Sequence, residues 1–239
     1  MSESYSQMSV PPHILPGRLV EGYQVFLGAH LPTEQKRYHD LSVHGQKPEV
    51  LVIGCSDSRV SPEVIFDTKP GEIFVLRNVA NLVPPYRPNN DYHGTSSALE
   101  FAVMGLRVAH IVVLGHAQCG GVKTYAEGEK DPYKPPLSAG DFIGSWIRLI
   151  APAAERLGPP SEPFSDYTER LSLESIIQSL ANLRTFPWIE NLEQRGLLRL
   201  HGAYFSIANG KLLALDEVHR KFVPIGEQQH SAALQDPRF

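Results

Sequence analysis

The chain has 239 residues, 42% of them hydrophobic, which is enough for one substantial α/β domain with a full core. A formal net charge of -4 and the lack of any Lys/Arg cluster argue against nucleic acid as a partner. No apolar run approaches the ~20 residues of a membrane span, and Met1 to Ser9 have neither a basic nor an apolar region, so the protein is expected to stay where it is made, in the cytoplasm.

Residues 1–16 are polar and proline-containing and read as a flexible tail. From Gly17 to Val43, Leu19, Tyr23, Phe26 and His30, then Tyr38 and Leu41 after a break at Pro32, form an interrupted apolar stripe on a helix that needs a surface to lie on. Glu49 to Gly54 is apolar at nearly every position, as in a parallel strand covered on both faces. After it, Ser61 can cap a helix begun by Pro62. A second strand covers Glu72 to Leu76, and a loop rich in Pro, Tyr and Asn follows from Pro84 to His93. Thr95 to Gly105 is a helix capped by Thr95 or Ser96.

The third strand contains Ile111 to Leu114, and Lys123 to Ala139 reads as a surface loop with a short helix at its start. Helices are expected over Asp141 to Leu157, Leu173 to Asn182 and Ile189 to Arg195, the last ending at Gly196. Strands at Leu197 to Leu200, Ala203 to Ile207 and Lys211 to Leu215 complete the chain, with a hairpin turn at Asn209-Gly210. The order predicts one α/β domain over residues 1–239, a mainly parallel central sheet flanked by helices with an N-terminal helical arm and a C-terminal hairpin.

The chain has two cysteines, each just after a strand: Cys55 in VLVIGCSDSR and Cys119 in IVVLGHAQCGG. His116 stands three residues before Cys119, a spacing that puts both on one face of a starting helical turn. Ligands of open α/β sheets bind at the carboxyl ends of the strands. Structural zinc sites use four protein ligands, whereas catalytic ones keep three and a position for water. Cys55, His116 and Cys119 therefore point to catalytic Zn2+ rather than a disulfide. Such a metal makes hydroxide available near neutral pH. Asp57 and Arg59 can form a charge-assisted pair whose free oxygen accepts the proton of that hydroxide, or Asp57 can occupy the fourth position and close the site. Gly120 and Gly121 present backbone N–H groups to an anionic product. Thiol catalysis by Cys119 with His116 as base is an alternative, but it leaves Cys55, Asp57 and Arg59 without a role. A phosphate-binding loop is rejected because Gly-Lys-Ser/Thr is absent.

The segment from Gln46 to Lys123 resembles the β-class carbonic anhydrases through CSDSR at Cys55 to Arg59, PGEIFVLRNVAN at Pro70 to Asn81 and GHAQCGGVK at Gly115 to Lys123. VPPY at Val83 to Tyr86 and GTSSALEFAV at Gly94 to Val103 resemble the plant-type branch, and weaker similarity continues through NLRTFPWIE and LHGAYF. The resemblance implies zinc on Cys55, His116 and Cys119, an Asp57–Arg59 dyad, and reversible hydration of CO2 to bicarbonate and a proton. It implies substrate contacts from Gln46, Phe74 and Val79, beside the Gly120 amide already noted. It also implies a homodimer or higher homo-oligomer in which residues 17–43 wrap on the partner and the active sites lie between subunits. Phe101 stands where the plant-type pattern has Tyr, which removes one site hydroxyl. COS and CS2, linear molecules open to the same attack, are alternative substrates. His93, His201 and His219 lack metal-like spacing and read as structural, although a mobile His93 is one guess for the group that carries the proton away.

Overall fold

The computed structural model describes residues 14–89, 91–131, 133–160 and 163–225. Most of the expected tail thus lies outside the described residues. The chain divides into two compact units, residues 1–46 and 47–239.

In the first unit, α1 (Gly17–Val25) continues through one π turn at Phe26–His30 into α2 (Leu31–His44). The expected break at Pro32 is absent: the proline falls in the first turn after the π segment, where a missing N–H costs little. Tyr23 stacks on Phe26, and Phe26 meets Tyr38 edge to face. No residue of this helical run is buried, and Leu19, Tyr23 and Val43 are each about 60% exposed. The apolar stripe is thus an open face, and Gly45, at φ 75°, ends it.

The second unit is a six-stranded sheet in the order β2-β1-β3-β4-β5-β6. Strands β1 (Val50–Cys55), β2 (Ile73–Asn78), β3 (His110–His116) and β4 (Arg199–Phe205) run parallel. β5 (Leu212–Asp216) and β6 (Lys221–Pro224) are antiparallel additions. The β4–β5 hairpin turns where Asn209-Gly210 was expected, with Gly210 at φ 69°. β4 is one strand rather than two, because Gly202 in its middle is an approach point: a Cβ there would stand 3.0 Å from Ile176 and 3.1 Å from Leu215. β6 was not expected from the sequence.

Helices cover the sheet. Between β1 and β2 lies α3 (Pro62–Ile65), preceded by Ser61, whose hydroxyl donates to Glu63 instead of capping the helix. α4 (Gly94–Glu100) continues through a π turn at Phe101–Gly105, and no side chain caps its start. α5 (Gly120–Lys130) springs from Cys119. The stretch expected as one helix over residues 141–157 is α6 (Phe142–Ile147), a 3₁₀ turn and α7 (Ala151–Leu157), since Pro152 has no N–H to continue the ladder. α8 (Phe164–Leu183) starts nine residues before its expected beginning, and α9 is Pro187–Gln194. Leu51, Ile53, Ile111 and Val113 meet Leu99, Val103, Ile176 and Leu180 in the main core. A Cβ at Gly115 would lie 2.6 Å from Ile176, so a bare backbone there is what lets α8 lie on the sheet. Among the described residues no helix is long and apolar enough to cross a membrane.

Candidate metal centre

β1 and β3 are neighbours with Gly54 opposite Leu114, so their carboxyl ends deliver Cys55 and His116 to one edge of the sheet. Cys119 does not share a helical turn with His116 as the spacing suggested. His116 is the last residue of β3 and Cys119 precedes α5, and between them Gln118 takes the left-handed conformation at φ 55° that folds the chain back. The three ligand atoms lie within 4.8 Å of one another, and the two sulfurs are 4.0 Å apart. All three residues are at most 5% exposed.

His116 Nδ1 lies 2.8 Å from the Ala117 carbonyl, which fixes the proton on that nitrogen and leaves Nε2 as the lone-pair end. Nε2 is buried and has no hydrogen-bond partner among the described residues. The Cys55 thiol is drawn well below its usual range by the hydrogen bond with Cys119, against burial, with help from His116 and the Asp57 and Ala80 amides. The same bond and burial push the Cys119 thiol up. A cation held by both sulfurs would draw the protons off both thiols. Two soft sulfurs and one imidazole are donors that suit zinc. Among the described residues no further His, Cys, Asp or Glu joins this group.

Asp57 is turned to Arg59, as expected. Arg59 Nε and Nη2 donate to its two oxygens at 2.9 and 2.7 Å, and the Arg59 amide adds a third bond at 3.0 Å. This fork holds the Asp57 carboxyl far below the usual carboxylate range.

Sequence reasoning gave no role to the groups that hold these loops. Arg77, at the end of β2, donates to the carbonyls of Cys55 at 2.9 Å and Asp57 at 2.7 Å, with a longer contact to Val60. Asn78 brackets the next turn, donating to the Leu82 carbonyl and accepting from its N–H. Inside that turn Ala80 and Asn81 have φ of 64° and 48°, and the Ala80 amide points at Cys55 Sγ, 3.4 Å away. The only signal available was a cation and an amide directly after a strand in LRNVAN.

The expected substrate residues do not form one group. Val79 lies in the turn after β2, where a Cβ on Gly121 would be 2.9 Å from it, and Trp146 donates to its carbonyl at 2.8 Å. Gly120 opens α5 beside Cys119. Phe74 pairs with Leu51 in register, four residues before Asn78, the partner of Cys55. That is about 13 Å along the strand. It packs instead on Phe101, ring centroids 5.9 Å apart. Gln46 is the last residue of the N-terminal unit.

Fold and site together have the form of an α/β metalloenzyme. The model of the carbonic anhydrase family matches residues 50–212. The chain belongs to that family and to its β class, whose members are zinc lyases. Carbonic anhydrases of Synechocystis sp. and Pseudomonas aeruginosa are 36% and 34% identical to it, over 86% and 90% of this chain and 73% and 94% of theirs. The solved β-carbonic anhydrase CcaA superposes with a TM-score of 0.74 at 34% identity, covering 89% of this chain and 92% of its own. A tetrameric β-carbonic anhydrase of Sordaria macrospora gives 0.69 at 29%, over 84% of this chain and 96% of that one.

Proposed function

We propose that this protein hydrates CO2 reversibly to bicarbonate and a proton, with zinc held by Cys55, His116 and Cys119. The observation that carries the reading is the buried His116 Nε2, with no hydrogen-bond partner among the described residues, set within 4.8 Å of two cysteine sulfurs. Zinc bound there supplies a Lewis acid that lets water lose its proton near neutral pH. Asp57, kept ionised by Arg59, accepts a hydrogen bond from the attacking water oxygen and so aims its lone pair at CO2. Arg59 engages both carboxylate oxygens, so the oxygen expected to be free is not, and Oδ2, which accepts from Arg59 Nη2 alone, keeps a lone pair for this task.

Val79 offers an apolar wall to CO2, and the Gly120 amide at the start of α5 donates to the bicarbonate product. Phe74 is too far along its strand to serve the Cys55 of its own chain, so we assign it to the site of a second copy, with Gln46 as the donor to bicarbonate. That requires a homo-oligomer, with residues 17–43 as the arm that lays its open apolar stripe on the partner. The tetrameric Sordaria relatives support such an assembly. Two thiols used as ligands suit a reducing compartment, the cytoplasm.

The test is stopped-flow CO2 hydration on protein of measured zinc content, beside Asp57→Ala and chelator-stripped protein. One zinc per chain with fast turnover that is lost in both controls is the expected result. Full zinc occupancy without CO2 hydration at any pH sinks the proposal and directs the assay to COS and CS2.

A further inference from the structure

The turn after β2 contains a peptide group with a partner at each end. Its carbonyl, that of Val79, accepts from Trp146 Nε1 at 2.8 Å, and its N–H, that of Ala80, donates to Cys55 Sγ at 3.4 Å. A peptide unit is planar and trans, so its C=O and N–H point in opposite directions and neither turns without the other. Fixing the oxygen therefore aims the hydrogen at the sulfur.

That aim needs holding. Ala80 sits at φ 64° and ψ 23°, the left-handed region in which a Cβ crowds the backbone, and Asn81 follows at φ 48°. Asn78 brackets the turn through the N–H and carbonyl of Leu82, and those bonds involve neither polar atom of the Val79–Ala80 peptide. Trp146 supplies the bond that does. Asp141 begins its helix, α6, by accepting from the Gly144 amide at 3.2 Å, and Ile147, 6% exposed, anchors it. The Trp146 ring packs on the same apolar cluster that contains Cys55, Ala80 and Cys119.

Ala80 is fully buried, so its N–H meets the sulfur away from water, where a hydrogen bond is electrostatically stronger. Hydrogen bonds in a chain polarise one another: donation to the Val79 oxygen makes the Ala80 N–H a better donor. A sulfur that accepts such a bond has less charge to give to a cation. We propose that Trp146 is a positioning residue of the metal centre, whose indole N–H, acting through the Val79–Ala80 peptide, sets how much charge the Cys55 sulfur gives to a bound cation. This rests on the reading of Cys55, His116 and Cys119 as metal ligands and not on CO2 as the substrate.

The experiment loads the full chain with Co2+, whose thiolate-to-metal charge-transfer absorption reads the charge on the sulfurs, and uses the zinc form for kinetics. Trp146→Phe removes the donor and keeps a ring. Its band should move to longer wavelength, because a sulfur without its hydrogen bond gives up an electron more easily, and kcat should fall roughly 10-fold with KM unchanged. Leu149→Ala thins the packing of the cavity that Trp146 also lines and leaves the N–H in place; it should melt lower and keep the wild-type band. The chain has two tryptophans, so in a Trp188→Phe background a ring-fluorinated tryptophan, a stronger N–H donor, enters at Trp146 alone and should move the band to shorter wavelength. An unmoved band in Trp146→Phe, or the same shift in Leu149→Ala, overturns the proposal. So does an unmoved band with a raised KM, which would make Trp146 a support of the Val79 wall instead. A wild-type protein without a thiolate band removes the metal reading and this inference together. Shifted bands in a protein that fails to hydrate CO2 keep this inference and remove the proposed function.

Discussion

Replacing Arg77 with Met should damage the centre without touching any residue of it. The side chain ties β2 to the Cys55–Val60 loop through two short bonds, 2.9 Å to the Cys55 carbonyl and 2.7 Å to that of Asp57, plus a 3.4 Å contact to Val60. Each short bond from a charged donor contributes about 1 kcal/mol at a partly exposed position, so the variant should lose about 2 kcal/mol. For a chain of this size that lowers Tm by roughly 4–8 °C. The loss of activity should be larger in proportion. The two carbonyls flank the segment that sets Cys55 and Asp57, and a shift of about 1 Å in reacting groups costs on the order of 100-fold in rate. Arg77→Lys should recover little, because one ammonium cannot span both carbonyls in the geometry of the guanidinium fork. The assays are a thermal melt at fixed protein concentration, metal content and CO2 hydration kinetics. If Arg77→Met melts within about 1 °C of wild type and turns over normally, the loop is held by something else and this reasoning fails.

Gly115→Ala should cost about 1–3 kcal/mol by overpacking, because its Cβ would stand 2.6 and 2.9 Å from Ile176. Adding Ile176→Val should return part of that loss, and a strictly additive double-mutant cycle in denaturant melts would contradict the packing account. Gly121→Ala places a Cβ 2.9 Å from Val79 and 3.0 Å from Ala80, pushing on the turn whose amide faces Cys55; a metal competition titration should show roughly 10-fold weaker affinity, typical for loss of ligand support. Stripping the metal with a chelator should lower Tm and raise the thiols that react with Ellman's reagent under native conditions towards two per chain, the whole cysteine content. Two buried thiols reacting equally fast before chelation would speak against a metal on Cys55 and Cys119.

The ligand set was legible because it depends on chain-local facts: apolar strands, a cysteine after each, and a histidine three residues from the second. The dyad was legible for the same reason, since Asp57 and Arg59 are two residues apart. What stayed hidden depends on distant contacts. Arg77 is an ordinary cation in sequence, and only the parallel pairing of β2 with β1 brings it under the Cys55 loop. The first half of α8 was missed because its apolar residues are sparse, with Phe164, Tyr167 and Leu171 standing among Ser, Thr, Asp and Glu. β4 was read as two strands, Leu197 to Leu200 and Ala203 to Ile207, whereas the chain runs straight through His201 and Gly202, whose missing side chain makes room for Ile176. Gln46, Phe74 and Val79 came from family resemblance alone, which carries no information on whether they meet within one chain, and Phe74 lies about 13 Å along its strand from the residue paired with Cys55.

Cys55 and Cys119 are 64 positions apart in the chain yet 4.0 Å apart at their sulfurs. An ion shared between them closes β2, the Pro84 to His93 loop and α4 into a ring, as a disulfide would, but with a fastener that a chelator can open. A nick in that exposed loop would leave two fragments joined at the ion and along the β1–β3 ladder. With zinc bound as proposed, the same clasp would also pin the two halves of the parallel sheet, and metal supply would then govern how long the folded chain survives proteases.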